Sequence, residues 1–558
     1  MTDRTNIKNS QIFLSVVFFA IVFAGIYSWF FVSAYWQAVI VGEGRYIFSW
    51  PDAMANNFFI DNFINKSNFN LPEPLNPAVN NIIHPRSTNV IETGDIVPMG
   101  FLGFPLTYGL ICQLIGAIFV KFLTPIFAAG AGIFFYLIIK KIFDERVSLI
   151  STILFYTLAT YWYYSSLVML SSVFFIFLLL AGIYFYLRQN AKIIFGALSG
   201  LFFGLALITR AVEFIPIALI IGLLTFFFRT EFNFKKGIVF LFCLLAPIGL
   251  LCYVNYLTYG NAFTLGYLNS NSDLSFFERL PLEMQIKSDA TAGLNLLKFI
   301  FVPFGLHELK IFENFYFYFL RLLWPYVALF SVGLGLMIRE RRRGRFEQRQ
   351  VVYGVVGAAV SIWLFFYYGN WNFADLMVIK NNTIGSSYAR YWLLPNIAIL
   401  PFIGYVLYCL WQAGSTLFEK IALLAATAVV IICLIWFSAE KVYYTRGDGL
   451  IDQKEIIAEH YVAAGKVEFL VPKNAILITD RTDKLFFPDY RVVDFNLNYE
   501  IFPQLKKIIG QVPVFYLSAR PERDMDYINE KKIARLNLRF VNFSAIDDEL
   551  TLFQLKQF

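Results

Sequence analysis

Charge is scarce in this chain. Only 15% of its 558 residues are Asp, Glu, Lys or Arg, where a soluble globular chain carries about a quarter. With 58% hydrophobic residues and many apolar runs of about 20 residues, that deficit excludes an ordinary soluble enzyme and points to a polytopic membrane protein. Histidine and cysteine are sparse as well. The five cysteines (Cys112, Cys243, Cys252, Cys409, Cys433) sit inside apolar stretches with no close metal-ligand spacing, and read as small core residues. There is no tandem repeat, no GxxxxGK[ST] and no GxGxxG in a strand–helix context, which argues against a nucleotide-driven pump. The net charge of +7 is not a nucleic-acid signature, because the basic excess lies in short loops between apolar runs, where it sets topology.

Aromatics are abundant instead. Sixty-three Phe and 32 Tyr suit lipid-facing helices and the belts at their ends. The N-terminal MTDRTNIKNSQ is short and polar, and the run after it holds no charge from Lys8 until Glu43. That is long for a signal-peptide core, so it reads as an uncleaved first helix with its basic end in the cytoplasm.

The basic loops then order the chain. KKIFDER, RQNAK, RTEFNFKK and IRERRRGRFEQRQ fall on one side if eleven helices alternate. These are the run 12–31, then 123–140, 147–163, 168–187, 193–209, 213–228, 237–257, 316–338, 351–368, 392–411 and 421–438. Residues 99–121 become a juxtamembrane helix on the outer surface, because a further span there would put KKIFDER outside. The RERRRGR cluster is explained by topology, with anionic lipid binding as the alternative. After Trp436 the composition changes. KNAILITD, YRVVDFN, VPVFYLS, LRFVNFS and ELTLFQLK are short β-rich runs broken by turn residues. The expectation is a transmembrane domain over 1–438 and an extracytoplasmic α/β or α+β domain over 439–558. The membrane would be a bacterial or archaeal plasma membrane. Sequons at Asn65-Lys66-Ser67 and Asn381-Asn382-Thr383 are short enough to arise by chance.

The long first external loop, 34–122, is the first long interruption of the apolar runs and carries Glu43, Asp52, Asp61, Glu92 and Asp95. Asp52 in SWPDAMANNFF reads either as an N-cap or as a general base taking the proton of an acceptor hydroxyl. Glu92 and Asp95 follow in the same loop. His84 and Arg86 in IIHPRST either contact sugar and phosphate or hold a turn through Pro85. Arg390 in SSYARYWLLP lies where loop becomes helix, with Tyr388 and Tyr391 as belt residues. It reads as a phosphate fork or a snorkelling anchor. Arg210 in ALITRAVEF has the same merit, with Glu213 as a pairing partner three residues on. His307 and His460 have no partner pattern.

An Asp soon after the first helix, GFLGFPLTYGLI in a long first loop, GLALITR, SYARYWLLP and a soluble C-terminal domain together resemble the GT-C superfamily of membrane glycosyltransferases. The likeness is to the protein-O-mannosyltransferase and aminoarabinose-transferase branch, across nearly the whole chain. The resemblance implies a polyprenyl-phosphate sugar donor, transfer on the non-cytoplasmic face to a lipid or to a protein or glycan hydroxyl, inversion at the anomeric carbon, and Asp52 as the acid of the first loop. Read from the residues themselves, His84, Arg86, Arg210, Arg390 and Tyr391 are the candidate substrate contacts. Two departures stand out. Many relatives have Asp-Glu where this chain has Asp52-Ala53, and YWYYSSLVMLSS lacks the second acid of several branches. Either Asp52 works alone, or Glu92 or Asp95 supplies the second carboxylate. A divalent cation is the one cofactor to weigh, and a single carboxylate is a poor site for it. The rival readings are a secondary transporter or flippase of a lipid-linked sugar, and an inactive membrane scaffold.

Overall fold

Apolar runs fold as helices here because, away from water, each backbone N–H and C=O must find its partner within the segment. The computed structural model describes residues 2–40, 46–189, 192–228, 234–264, 266, 301–303, 305–345, 347–371 and 383–558. Glu43, Arg45, residues 267–300 of the second external stretch, and Asn381 and Asn382 of the second sequon lie outside them. Among the described residues six helices are long and apolar enough to cross a membrane: Gln11–Ile40, Ala117–Ile142, Phe234–Tyr259, Gln348–Gly369, Leu393–Gln412 and Leu417–Tyr444. Two bent pairs, Ala159–Ser166 with Ser171–Tyr186 at 117° and Glu308–Arg321 with Trp324–Arg342 at 92°, bring the number to eight if each is one span.

By length and composition the described residues thus give six to eight spans, against the eleven expected. The helix Ile193–Thr209 has 17 residues, at the lower end of what crosses a bilayer. The run expected at 147–163 is two pieces, Glu145–Thr157 and Ala159–Ser166, because Leu158 between them takes an extended ψ of 122°. The helix Gly103–Ile115 has 13 residues, about 20 Å. Gly116, at φ +107°, parts it from the span beginning at Ala117. A short helix followed by a separate span is what the position of KKIFDER requires.

By its contacts the chain divides into two units. One comprises Met1–Phe31, Phe122–Gly249 and Phe276–Gln453, the other Val32–Lys121, Leu250–Ser275 and Lys454–Phe558. The grouping differs from a linear division at residue 438. The reason is that the loop after the first helix carries Val79 and Ile83 into the core of the C-terminal sheet, against Ile476, Val493, Phe502 and Tyr516.

In the first unit, glycine sets the closest helix approach. A Cβ on Gly200 would lie 2.1 Å from the Phe240 carbonyl oxygen, and one on Gly204 would lie 2.4 Å from that of Leu244. Such backbone contact is how membrane helices gain packing where no hydrophobic effect drives them together. Buried polar tips find carbonyls: Tyr27 OH donates to Tyr156 O at 2.6 Å and Trp392 Nε1 to Leu364 O at 3.0 Å.

In the second unit, β1 (Thr88–Val90) and β2 (Ile96–Pro98) form an antiparallel hairpin. The main sheet comprises β3 (Ile476–Thr479), β4 (Arg491–Asp494), β5 (Val514–Ser518), β6 (Leu538–Ala545) and β7 (Thr551–Gln557), in the order β4-β3-β5-β7-β6. β3 runs parallel to β4 and β5 and is buried throughout. Parallel neighbours need crossovers, supplied by the stretches that hold the short helices Asp483–Phe486 and Ile501–Leu505. β5, β7 and β6 are antiparallel. The free edge of β4 is met by the first loop, where His84 bridges Val493 in parallel. The carboxyl end of β3 leads straight into residues 480–484.

Candidate active site

Asp52 owes its place to the turn before it. Trp50 is the cap residue of the helix Pro51–Lys66 and makes no side-chain cap bond, while Pro51 takes the first helical position. Proline suits that position, since its N–H would be unsatisfied there anyway. Asp52 is thus an acid of the first turn rather than the N-cap, where the helix dipole favours a carboxylate. Ser87 Oγ donates to Asp52 Oδ1 at 2.6 Å. Ser87 itself sits at φ +63°, a left-handed conformation uncommon for a residue with a side chain.

The residue before it, Arg86, is fully engaged by the C-terminal sheet domain. Its backbone N–H donates to Asp483 Oδ2 at 2.7 Å, and Nε and Nη2 donate to Oδ1 at 2.9 and 2.6 Å. Nη2 also reaches the Arg481 carbonyl at 2.5 Å. Asp483 is 0% exposed. Burial alone would lower the Arg86 pKa, but the Asp483 carboxylate outweighs it and holds the value above the ordinary one. Next along the chain, Lys484 Nζ donates to the Ser49 carbonyl. Burial, then repulsion from Arg86, pulls its pKa down to about 8, with Asp483 opposing. His460 is lowered to about 4 by burial and by Lys484.

The other acids of the loop are placed differently. Glu92 and Asp95 occupy the turn of the β1–β2 hairpin, closed by Ile91 N–H on the Asp95 carbonyl at 3.1 Å, with Gly94 at φ +92°. Ser87 is at the opposite end of β1, roughly 10 Å of extended chain away. The hairpin thus places neither acid beside Asp52. His84 Nδ1 lies 3.0 Å from the Pro85 carbonyl and 3.3 Å from Thr88 Oγ1, which is the geometry of a held turn.

The first unit brings the remaining candidates together. Arg210 caps the end of Ile193–Thr209, and Arg390 sits in the short helix Ser387–Tyr391, whose N-terminus Ser386 caps through Ala389 N–H. Arg210, Glu213 and Arg390 are 6%, 3% and 7% exposed. Arg210 donates to Ser172 Oγ at 3.1 Å, Glu213 Oε1 at 3.1 Å and Tyr368 OH at 3.3 Å, and Tyr368 donates to the same Glu213 oxygen at 2.9 Å. Arg390 Nη2 donates to Tyr391 OH at 2.7 Å. The Tyr391 ring lies beneath both guanidinium carbons, 4.8 Å from that of Arg210 and 4.7 Å from that of Arg390. It stacks on Tyr368 at 4.5 Å. Two guanidiniums and one carboxylate line this small pocket, an excess of one positive charge among the described lining residues. Leu394 is shared with a larger apolar groove bounded by residues 135–142, 179–189, 220–228, 349–361 and 394–398.

Sequence reasoning found both arginines, the Arg210–Glu213 pair and Tyr391. It missed Ser172, Tyr368, Ser87, Asp483 and Lys484. A hydroxyl beside a buried charge leaves no trace in sequence spacing, and the last two lie some four hundred residues along the chain from the loop they hold. Among the described residues no group of three or more His, Cys, Asp or Glu side chains could hold a metal ion. Asp52 with Ser87 brings one carboxylate, so a hard cation held there would take most of its oxygens from water and a substrate phosphate.

No protein-family model matches the chain, and no curated protein matches it. Solved structures do. The oligosaccharyltransferase AglB of Archaeoglobus fulgidus, in complex with an inhibitory peptide and a dolichol-phosphate, is 13% identical over 92% of this chain and 70% of its own, with a TM-score of 0.52. The A. fulgidus oligosaccharyltransferase in complex with Zn and sulfate gives 12% over 91% and 68%, at 0.53. ArnT of Cupriavidus metallidurans bound to undecaprenyl phosphate gives 10% over 94% and 97%, at 0.49. The likeness to the archaeal oligosaccharyltransferase, at 12–13% identity, shows that this chain shares its fold.

Proposed function

We propose that this protein is a membrane glycosyltransferase that moves a sugar from a polyprenyl-phosphate donor to an acceptor hydroxyl on the extracytoplasmic face, with inversion. The observation that carries the reading is the pair of buried guanidiniums on one tyrosine ring, joined through Leu394 to an apolar groove. Two buried guanidiniums beside an apolar groove suit an amphiphile with an anionic head. The phosphate would lie at Arg210 and Arg390 and the isoprenoid tail along the groove. Dolichol-phosphate in the archaeal complex fits that chemistry.

In the reaction, the acceptor oxygen attacks the anomeric carbon and the carbon–oxygen bond to phosphate breaks. The acceptor's proton goes to Asp52, and polyprenyl phosphate leaves with its added charge stabilised by the two arginines. Ser87, donating to Asp52, fixes the carboxylate's orientation. In this reading the N-terminus is cytoplasmic, the first loop and residues 439–558 are extracytoplasmic, and the acceptor is a lipid or a protein-borne or glycan hydroxyl. His84, Arg86, Glu92 and Asp95 take supporting places in the loop.

The two bent helix pairs favour a second reading, a carrier for lipid-linked sugar, since broken helices mark transporter sites. Binding separates the amphiphile site from a mere anchor. Purified protein in lipid nanodiscs would be titrated with undecaprenyl phosphate, undecaprenol and inorganic phosphate. Tight binding of the first, with the alcohol at least about 30-fold weaker for want of charge-assisted bonds, is the expected result. Equal binding of alcohol and phosphate would overturn the site. Turnover then separates enzyme from carrier.

A further inference from the structure

Two neighbouring residues of the C-terminal sheet domain grip the two chain segments that meet at Asp52. Asp483 takes the backbone N–H and the guanidinium of Arg86, the residue before Ser87. Lys484 takes the carbonyl of Ser49, three residues before Asp52. The segments touch where Ser87 Oγ meets Asp52 Oδ1 at 2.6 Å. We propose that Asp483 and Lys484 are positioning residues: through Arg86 and Ser49 they hold Ser87 and Asp52 in the geometry in which Asp52 accepts the acceptor's proton. This inference rests on the glycosyl-transfer reading of Asp52.

Three observations favour positioning over simple docking. Ser87 is held at φ +63°, and a strained residue at a reacting centre persists only when its surroundings over-determine it. The bond from Asp483 to the Arg86 N–H fixes the peptide immediately before that strain. Second, the Asp483 carboxylate is wholly buried and spends both oxygens on one arginine. Such a charge gains little net stability over an apolar substitute, so its worth lies in geometry. Third, a separate anchor, Ile47 N–H on Tyr461 OH at 2.8 Å, already ties the same segment to the helix Leu450–Leu470. Docking alone did not require the second grip.

The grip is built where parallel sheets offer such sites. The carboxyl end of β3, flanked on both sides by parallel strands, is the switch point of this sheet. Residues 480–484 leave β3 there.

The test combines a structural and a kinetic readout on the full-length protein in lipid. Hydrogen exchange is followed in peptides covering 46–58 and 84–90 for wild type, Asp483→Asn, Lys484→Met and Lys484→Arg. Turnover is measured for the same variants with and without Asp52→Asn. The expected result is about tenfold faster exchange in both peptides for Asp483→Asn and Lys484→Met, with the β3 and β5 peptides unchanged. kcat should fall by about 10- to 100-fold at unchanged donor affinity, with Lys484→Arg restoring most of it. In the Asp52→Asn background the same changes should cost less than about threefold, because groups that act through one residue are not additive. Unchanged exchange overturns the grip whatever the protein's activity. Altered exchange with an equal kcat loss in both backgrounds overturns positioning and leaves a structural tie. Wild-type turnover that survives Asp52→Asn overturns the role of Asp52, and the positioning with it, while the exchange data still report whether the grip exists.

Discussion

Replacing Arg390 tests the anion pocket most sharply. Arg390 is 7% exposed, and its guanidinium lies 4.7 Å over the Tyr391 ring and donates to that tyrosine's hydroxyl at 2.7 Å. A charge-assisted hydrogen bond is worth about 1.5–3 kcal/mol, and a fork supplies two. Glutamine keeps only a neutral amide, so Arg390→Gln should lose about 2–4 kcal/mol of lipid-phosphate binding, about 30- to 900-fold in Kd. Arg390→Lys keeps the charge and loses the fork, and about 5- to 30-fold is expected. Because the site is buried, raising salt from about 50 to 500 mM should move the wild-type Kd by less than about threefold, unlike a surface patch. The assay is titration of undecaprenyl phosphate into protein in nanodiscs, with thermal unfolding run in parallel to confirm folded variants. An Arg390→Gln protein that is folded and binds within about threefold of wild type would refute the pocket.

Other consequences concern stability. Lys484 has a folded pKa near 8 against about 10.4 unfolded. Between those values the unfolded chain binds more protons, so wild-type stability should rise relative to Lys484→Met as pH goes from 8 to 10, by up to about 3 kcal/mol. Denaturation curves at pH 7, 8.5 and 10 that shift in parallel for both proteins would contradict this. A Cβ on Gly109 would sit 2.5 Å from the Phe63 ring, so Gly109→Val should push apart the helices Pro51–Lys66 and Gly103–Ile115 and cost about 1–3 kcal/mol, read as a lower Tm. Gly200→Leu should be harsher, since the Phe240 backbone cannot move aside as a ring can. An unchanged Tm would show that helix crossing to be looser than described.

What the sequence made legible follows from range. Apolar period and basic loops are local signals, and they located the helices and the short Gly103–Ile115 segment ahead of a separate span. They gave eleven runs where six to eight helices are long and apolar enough to span, because run length does not reveal a break such as Leu158. Arg210 and Arg390 stood out because a cation at a helix end is rare in an apolar chain. That one tyrosine ring serves both is a tertiary fact. The N-cap alternative for Asp52 gave way because Pro51 starts the helix one residue earlier. Least legible was the part of the first loop that joins the C-terminal sheet. Val79, Ile83 and His84 lie in a stretch with no strand pattern of its own, so nothing local announced that it would fill that core and meet β4.

The central claim is that Asp52 takes a proton during sugar transfer from a lipid phosphate. The direct measurement is turnover of a panel of labelled polyprenyl-phosphate sugars by wild type and Asp52→Asn in lipid, with donor affinity measured on the same samples. The account predicts transfer by wild type, and in Asp52→Asn a loss of kcat of at least about 100-fold with donor binding intact. Equal turnover by both proteins would contradict it.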